Sequence, residues 1–154
     1  GSDSISQRGR ANRQRGVSFE RRIAKKFREA GFGCRRLWGE QMVYSGTPDL
    51  ELYAELRPFS ADHPSVRYIL PVAIQLKCTQ TESDLERGLD EALKEPGHKL
   101  YVCLHSFQRK LRIRTAEPRD QYYHFDEPTW EQLLTKLRGL YPIRSLTHPS
   151  ASSR

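Results

Sequence analysis

Sulfur is scarce in this chain, with three cysteines and one methionine among 154 residues. Cys34, Cys78 and Cys103 sit in strand-like runs without metal-ligand spacing, which excludes a zinc module built on paired cysteines. An odd set of this kind argues against a secreted disulfide framework and for an intracellular, reducing compartment. No apolar run approaches the ~20 residues of a membrane span and no secretory leader pattern is read, so no membrane partner is expected. Internal repeats are missing too, and a chain of 154 residues suits one domain.

Positive charge is what the sequence has in excess, and it is unevenly placed. Residues 1–36 hold 11 Lys/Arg against 3 acids, whereas residues 37–154 hold 15 against 16. A basic arm on a near-neutral body suits a polyanion, DNA foremost. A solubilising tail is the plainer alternative. Residues 1–16 carry Arg8, Arg10, Arg13 and Arg15 among Gly, Asn and Gln, and are expected to form a flexible arm. Val17 to Ala30 reads as a helix, with Phe19, Ile23, Ala24 and Phe27 on one stripe. Arg21, Arg22, Lys25, Lys26 and Arg28 lie opposite. Glu20 interrupts the apolar stripe, which calls for a partner: an arginine, or a role as a site carboxylate.

Two runs alternate with the period of strands, Leu50–Leu56 and Val72–Thr79. In the first, Leu50, Leu52, Ala54 and Leu56 share the core face, and Asp49, Glu51, Tyr53 and Glu55 share the other. In the second, Val72, Ile74, Leu76 and Cys78 face the core, and Ala73, Gln75, Lys77 and Thr79 the open side. The turn chemistry of Ser45-Gly46-Thr47-Pro48 places Asp49 at the mouth of the first strand. If the strands pair, an acid, an amide and a lysine converge on one non-core face, with same-face neighbours roughly 7 Å apart. An ordinary strand with a solvated face is the competing account of Gln75 and Lys77.

These residues resemble a known signature. Pro48-Asp49 followed by Gln75-Leu76-Lys77 looks like that of the PD-(D/E)XK nuclease superfamily, with Gln where most members carry Asp or Glu. Glu20 on an upstream helix and the Ser45-Gly46 turn extend the likeness over roughly residues 15–115. The layout is most similar to archaeal-type Holliday junction resolvases, and the Gln-x-Lys form is more like the Mrr-related restriction enzymes. The resemblance implies an α/β, restriction-endonuclease-like core, a mixed central sheet flanked by helices. That core is placed over residues 17–140, with a flexible tail over 141–154.

Phosphodiester hydrolysis needs an in-line water and relief of the charge on a pentavalent phosphate, which a hard divalent ion on one or two carboxylates supplies. The resemblance assigns Mg²⁺ or Mn²⁺ to Asp49, Gln75, Glu20 and the Leu76 carbonyl. It assigns catalysis to Glu20, Asp49, Gln75 and Lys77, the lysine orienting water or stabilising the phosphorane. Glu51 is a spare acid. DNA contacts fall to Arg8, Arg10, Arg13, Arg15, Arg21, Arg22 and Lys25. The implied protein is a homodimeric endonuclease acting on branched DNA or Holliday junctions, in recombination or repair. A restriction-like or nicking enzyme on duplex DNA, and a catalytically silent DNA-binding protein of the same fold, are the alternatives. Gln75 is open to three accounts: a working ligand, an inactivating replacement of Glu, or the mark of a domain that binds without cutting.

Elsewhere, Arg57–Arg67 reads as a loop between the motif strands, and its His63 as a solvated histidine. Thr81–Glu95 reads as a helix with a Ser83/Glu86 capping box and Leu85, Leu89, Ala92 and Leu93 inward. Leu100–Leu104 is apolar on both faces and reads as a central strand. Arg109–Ala116 reads as an outer strand whose Lys110, Arg112 and Arg114 offer a second backbone contact. Tyr122–Phe125 reads as an edge strand. Pro128 is expected at N1 of a last helix with Trp130, Leu133, Leu134 and Leu137 inward, ended by Gly139.

Overall fold

The computed structural model describes residues 2–37, 48–56, 62, 65–78 and 81–141, with side chains from Gly16 onward. In chain order these form α1 (Ser2–Glu29), β1 (Gly33–Arg36), β2 (Leu50–Leu56), β3 (Val66–Ile69) and β4 (Val72–Cys78). Then come α2 (Asp84–Ala92), β5 (Leu100–Phe107), β6 (Lys110–Arg119), β7 (Tyr122–Asp126) and α3 (Trp130–Arg138). The strands make one mixed sheet in the order β1-β2-β4-β5-β6-β7, with β3 paired to β2. Only β4 and β5 run parallel, joined through α2, as a crossover between parallel neighbours requires. The expected α/β class, a mixed central sheet flanked by helices, is what the chain forms. Among the described residues no helix is long and apolar enough to cross a membrane.

The sheet is covered on both faces. On one, Phe19, Ile23, Ala24 and Phe27 of α1 and Leu133, Leu134 and Leu137 of α3 close over Leu50, Leu52, Ile74, Val102 and Leu104. Phe27 and Trp130 tie the two helices together, with ring centroids 4.9 Å apart. On the other face Leu85, Leu89 and Ala92 of α2 cover Ala73, Tyr101, Cys103 and Ala116. This second layer corrects the reading of Val72–Thr79 as half-exposed: Ala73 and Gln75 are buried beneath α2. Residues 38–47, His63, Thr79 and the tail from 142 lie outside the described residues. Tyr141, expected to start that tail, still packs on Phe32 at 5.9 Å.

Several boundaries moved for local reasons. The first helix begins at Ser2 rather than Val17, because residues 2–29 contain no proline and its two glycines only weaken a helix. β3 begins at the end of the expected Arg57–Arg67 loop and runs on to Ile69, its Val66-Arg67-Tyr68-Ile69 being rich in β-formers. Ser83 makes no side-chain cap and is itself helical; Thr81 instead donates to Asp84 at 2.7 Å. Pro128 precedes the last helix, whose cap is Thr129, in a capping box with Gln132. The outermost strand is β7, so Arg112 and Arg114 are turned under α2 rather than outward. There they pair with Glu82, Glu86 and Glu127 at 2.6–3.1 Å, which answers two of the three charges expected to make a second DNA contact; Lys110 is exposed.

The β5–β6 hairpin turns through Gln108 and Arg109 at φ 50° and 65°, a conformation that favours Asn-Gly. Replacing the pair by Asn-Gly is expected to raise stability by ~1–2 kcal/mol. Chemical denaturation checks it; an unchanged midpoint would show that these residues carry no strain.

Candidate active site

β2 and β3 pair from Tyr53↔Ile69 to Leu56↔Val66, but β2 meets β4 at Leu50↔Ile74. The register therefore advances by two residues across Leu70-Pro71, a bulge that carries the start of β2 onto the middle of β4. Asp49 is stitched in by its backbone on both sides: its N–H donates to the Ile74 carbonyl at 2.8 Å, and its carbonyl accepts from Leu37 N–H at 3.0 Å. Beyond this point β2 offers β4 no further backbone partner. The Asp49 side chain takes the next place in the ladder, with Oδ2 accepting from the Leu76 N–H at 2.7 Å. Its other oxygen makes no hydrogen bond among the described residues. A strand residue presents N–H and C=O on the same side, so the Leu76 carbonyl faces the same gap.

Burial pushes the Asp49 carboxyl from its usual 3.8 up to about 6. The Leu76 N–H opposes this, the charge of Glu20 adds to it, Lys77 opposes it and Glu91 adds to it. Three charged groups and one backbone N–H thus act on one carboxylate. Lys77 reaches α2, where Nζ lies 3.1 Å from Glu91 Oε1 and 2.9 Å from Oε2. A Cβ on Gly88 would stand 2.5 Å from Cys103 Sγ and 3.0 Å from Lys77 Cγ, so glycine is what lets α2 lie this close to the lysine stem. Burial lifts the Cys103 thiol to about 12, which leaves it un-ionised and unreactive at neutral pH.

Asp49, Leu76 and Lys77 are brought together as the spacing indicated, with Gln75 between them in sequence. Gln75 is 4% exposed, not on an open face, because α2 covers it. Glu20 raises the Asp49 pKa, and its Oε1 lies 3.5 Å from Arg36 Nε, the ion pair weighed above as the alternative. Burial raises the Glu20 pKa and Arg36 lowers it. Glu51 pairs with exposed Arg35 at 3.4 Å. Arg21, Arg22 and Lys25 are exposed on α1, while Arg8, Arg10, Arg13 and Arg15 have helical backbone and undescribed side chains. Sequence reasoning missed Glu91, Gly88 and Arg36. Gly88 did carry a signal, since glycine inside a helix costs ~1 kcal/mol and marks a close approach.

Among the described residues no three His, Cys, Asp or Glu side chains converge as a ready metal cage. The donors that do meet are hard oxygens around one carboxylate. That set fits Mg²⁺, which is commonly held by one or two carboxylates and keeps several waters.

A comparison with solved structures finds the Archaeoglobus fulgidus Holliday junction resolvase Hjc, at 16% identity and a TM-score of 0.39, covering 79% of this chain and 97% of that one. No family model and no curated protein matches the sequence.

Because the folded-state pKa of Asp49 lies above its ordinary value, ionising it costs stability. The cost is absent below about pH 4, grows between pH 4 and about 6, and is constant above. Asp49→Asn keeps an oxygen for the Leu76 N–H and removes that cost. The variant should be more stable than the parent at pH 8 by ~1–3 kcal/mol, and the gain should vanish near pH 4. Thermal melts across this range test it; a destabilised variant at pH 8 would mean the carboxylate is held by a net attraction.

Proposed function

We propose that this chain is a divalent-metal-dependent endodeoxyribonuclease with a restriction-endonuclease-like core, acting first on branched DNA or four-way junctions. The observation that carries the reading is the Asp49–Leu76 hydrogen bond of 2.7 Å. It fixes a carboxylate at the mouth of β2 against the Gln75-Leu76-Lys77 segment.

The chemistry divides among these groups. Asp49 would hold Mg²⁺ or Mn²⁺, with the Leu76 carbonyl and the Gln75 amide oxygen as neutral donors; Glu20, paired to Arg36, is the weakest candidate. Such an ion supplies positive charge for the scissile phosphate and eases deprotonation of water. Lys77 donates a hydrogen bond to the attacking water or to a phosphate oxygen, where charge develops in the transition state. Arg21, Arg22 and Lys25, with Arg8, Arg10, Arg13 and Arg15 further along the same helix, bind backbone phosphates and position the DNA without reading bases. A compact domain without a separate recognition module suits a substrate read by shape. Two symmetric cuts require a two-fold dimer, and free buried cysteines suit a reducing compartment. Gln75 favours the second reading, a DNA-binding protein of this fold that does not cut, since an amide takes one negative charge from the ion.

Incubation with Mg²⁺ or Mn²⁺ and matched junction, duplex and single-stranded DNA separates these readings. Lys77→Ala should abolish cleavage and leave DNA affinity nearly unchanged. Gln75→Glu should lower the metal concentration for half-maximal cleavage. If it alone creates activity, the amide is an inactivating replacement. Equal cutting of duplex and junction would move the substrate to duplex DNA, and no cutting by either form would leave the binding reading.

Removing residues 3–15, which hold four arginines, should weaken DNA binding and lower the slope of log K against log salt by up to about 4. An unchanged slope would make the segment a solubilising tail.

A further inference from the structure

Lys77 is far more constrained than a lysine on a strand edge needs to be. Its stem runs under α2, where Gly88 leaves it room: a Cβ there would meet Lys77 Cγ at 3.0 Å and Cε at 3.4 Å. Its ammonium is held by both oxygens of one carboxylate, Glu91 Oε1 at 3.1 Å and Oε2 at 2.9 Å. Glu91 sits on a helix anchored by buried Leu85, Leu89 and Ala92, so the backbone that carries the acceptor is held against the sheet. The pair is 21% and 29% exposed, and ion pairs this wet contribute at most about 1 kcal/mol to folding. Stability is therefore a weak reason for so specific an arrangement.

Geometry is a better one. A lysine side chain gives up ~2 kcal/mol of rotamer freedom when fixed, and a misplaced general acid or charge stabiliser loses rate steeply with distance. The ammonium has three hydrogens. One hydrogen bonds to Glu91 Oε1, with Oε2 completing the ion pair, which leaves hydrogens for an oxygen of the substrate or of water.

We propose that Glu91, with Gly88 beside it, is the positioning residue for Lys77: α2 sets the lysine stem, and the Glu91 carboxylate aims the ammonium at the reacting phosphate. The role rests on the nuclease reading above, but the tether itself can be observed without any DNA. Glu91 touches Lys77 and not the substrate.

The test has two arms, both on the full chain. In the first, Lys77 Nζ protons are followed by ¹H–¹⁵N NMR on metal-free protein, where a signal survives solvent exchange only if the ammonium is held. It should be present in the parent and lost in Glu91→Ala. In the second, cleavage kinetics of Glu91→Gln, Glu91→Ala and Glu91→Asp are compared with Mn²⁺ affinity and thermal stability. The expected outcome is a fall in kcat of about 10-fold for Gln and about 100-fold for Ala. Aspartate should recover part of it, with KM, Mn²⁺ affinity and melting temperature nearly unchanged. A Lys77 signal that persists in Glu91→Ala, or parental kcat in that variant, overturns the proposal. Loss of Mn²⁺ affinity in Glu91→Gln would make the residue a metal ligand and overturn it equally. An inert parent whose Lys77 signal still needs Glu91 would count against the nuclease reading and take the catalytic role with it.

Discussion

The structure around the site turns on one backbone hydrogen bond that another backbone cannot make. β2 stops pairing with β4 after Leu50↔Ile74, which would leave the Leu76 N–H without a ladder partner. Burying that group unpaired would cost about 1–3 kcal/mol. The Asp49 carboxylate fills the vacancy at 2.7 Å. An acid is thereby lodged where burial resists its ionisation and where Lys77, Glu91 and Glu20 all act on it. Fold and site share this contact: it ends a sheet ladder and presents a carboxylate oxygen at the same time.

The residues that sequence could place are those whose role is written in a local pattern. Period-two alternation gave Leu50, Leu52 and Ala54 their inward face, and Pro48-Asp49 its position at the strand mouth. The double-sided apolar run at Leu100–Leu104 marked a central strand, which lies between β4 and β6. What could not be read were the contacts that depend on how layers stack. Gln75 looked solvated because its strand alternates, yet α2 lies over it. Arg112 and Arg114 looked like a free basic face, yet three glutamates from α2 and its approach and from the β7–α3 junction neutralise them. Glu91 has no sequence motif linking it to Lys77, fourteen residues away; only the fold of α2 back over β4 joins them.

Electrostatics then divides the molecule by role. Charges on the α2 side of the sheet are largely matched pairs, which suits holding a small number of groups in fixed geometry. Exposed charge with no ion pair among the described residues lies on α1, where Arg21, Arg22 and Lys25 face solvent. Glu20 sits at the junction of the two zones. Its pairing with Arg36 keeps a second acid close enough to influence Asp49 while its own charge is answered by a guanidinium. A cation entering near Asp49 would ease the repulsion among Asp49, Glu20 and Glu91, which is the physical reason for expecting one there.

On the proposed function, a divalent ion binds at this junction of β2 and β4. Paramagnetic broadening of backbone amide signals during a Mn²⁺ titration tests it directly, because the effect falls steeply with distance from the ion. The amides of Asp49, Leu76 and Lys77 should broaden first, and Asp49→Asn should abolish the effect. Broadening that begins elsewhere, or that is unchanged in Asp49→Asn, would contradict it.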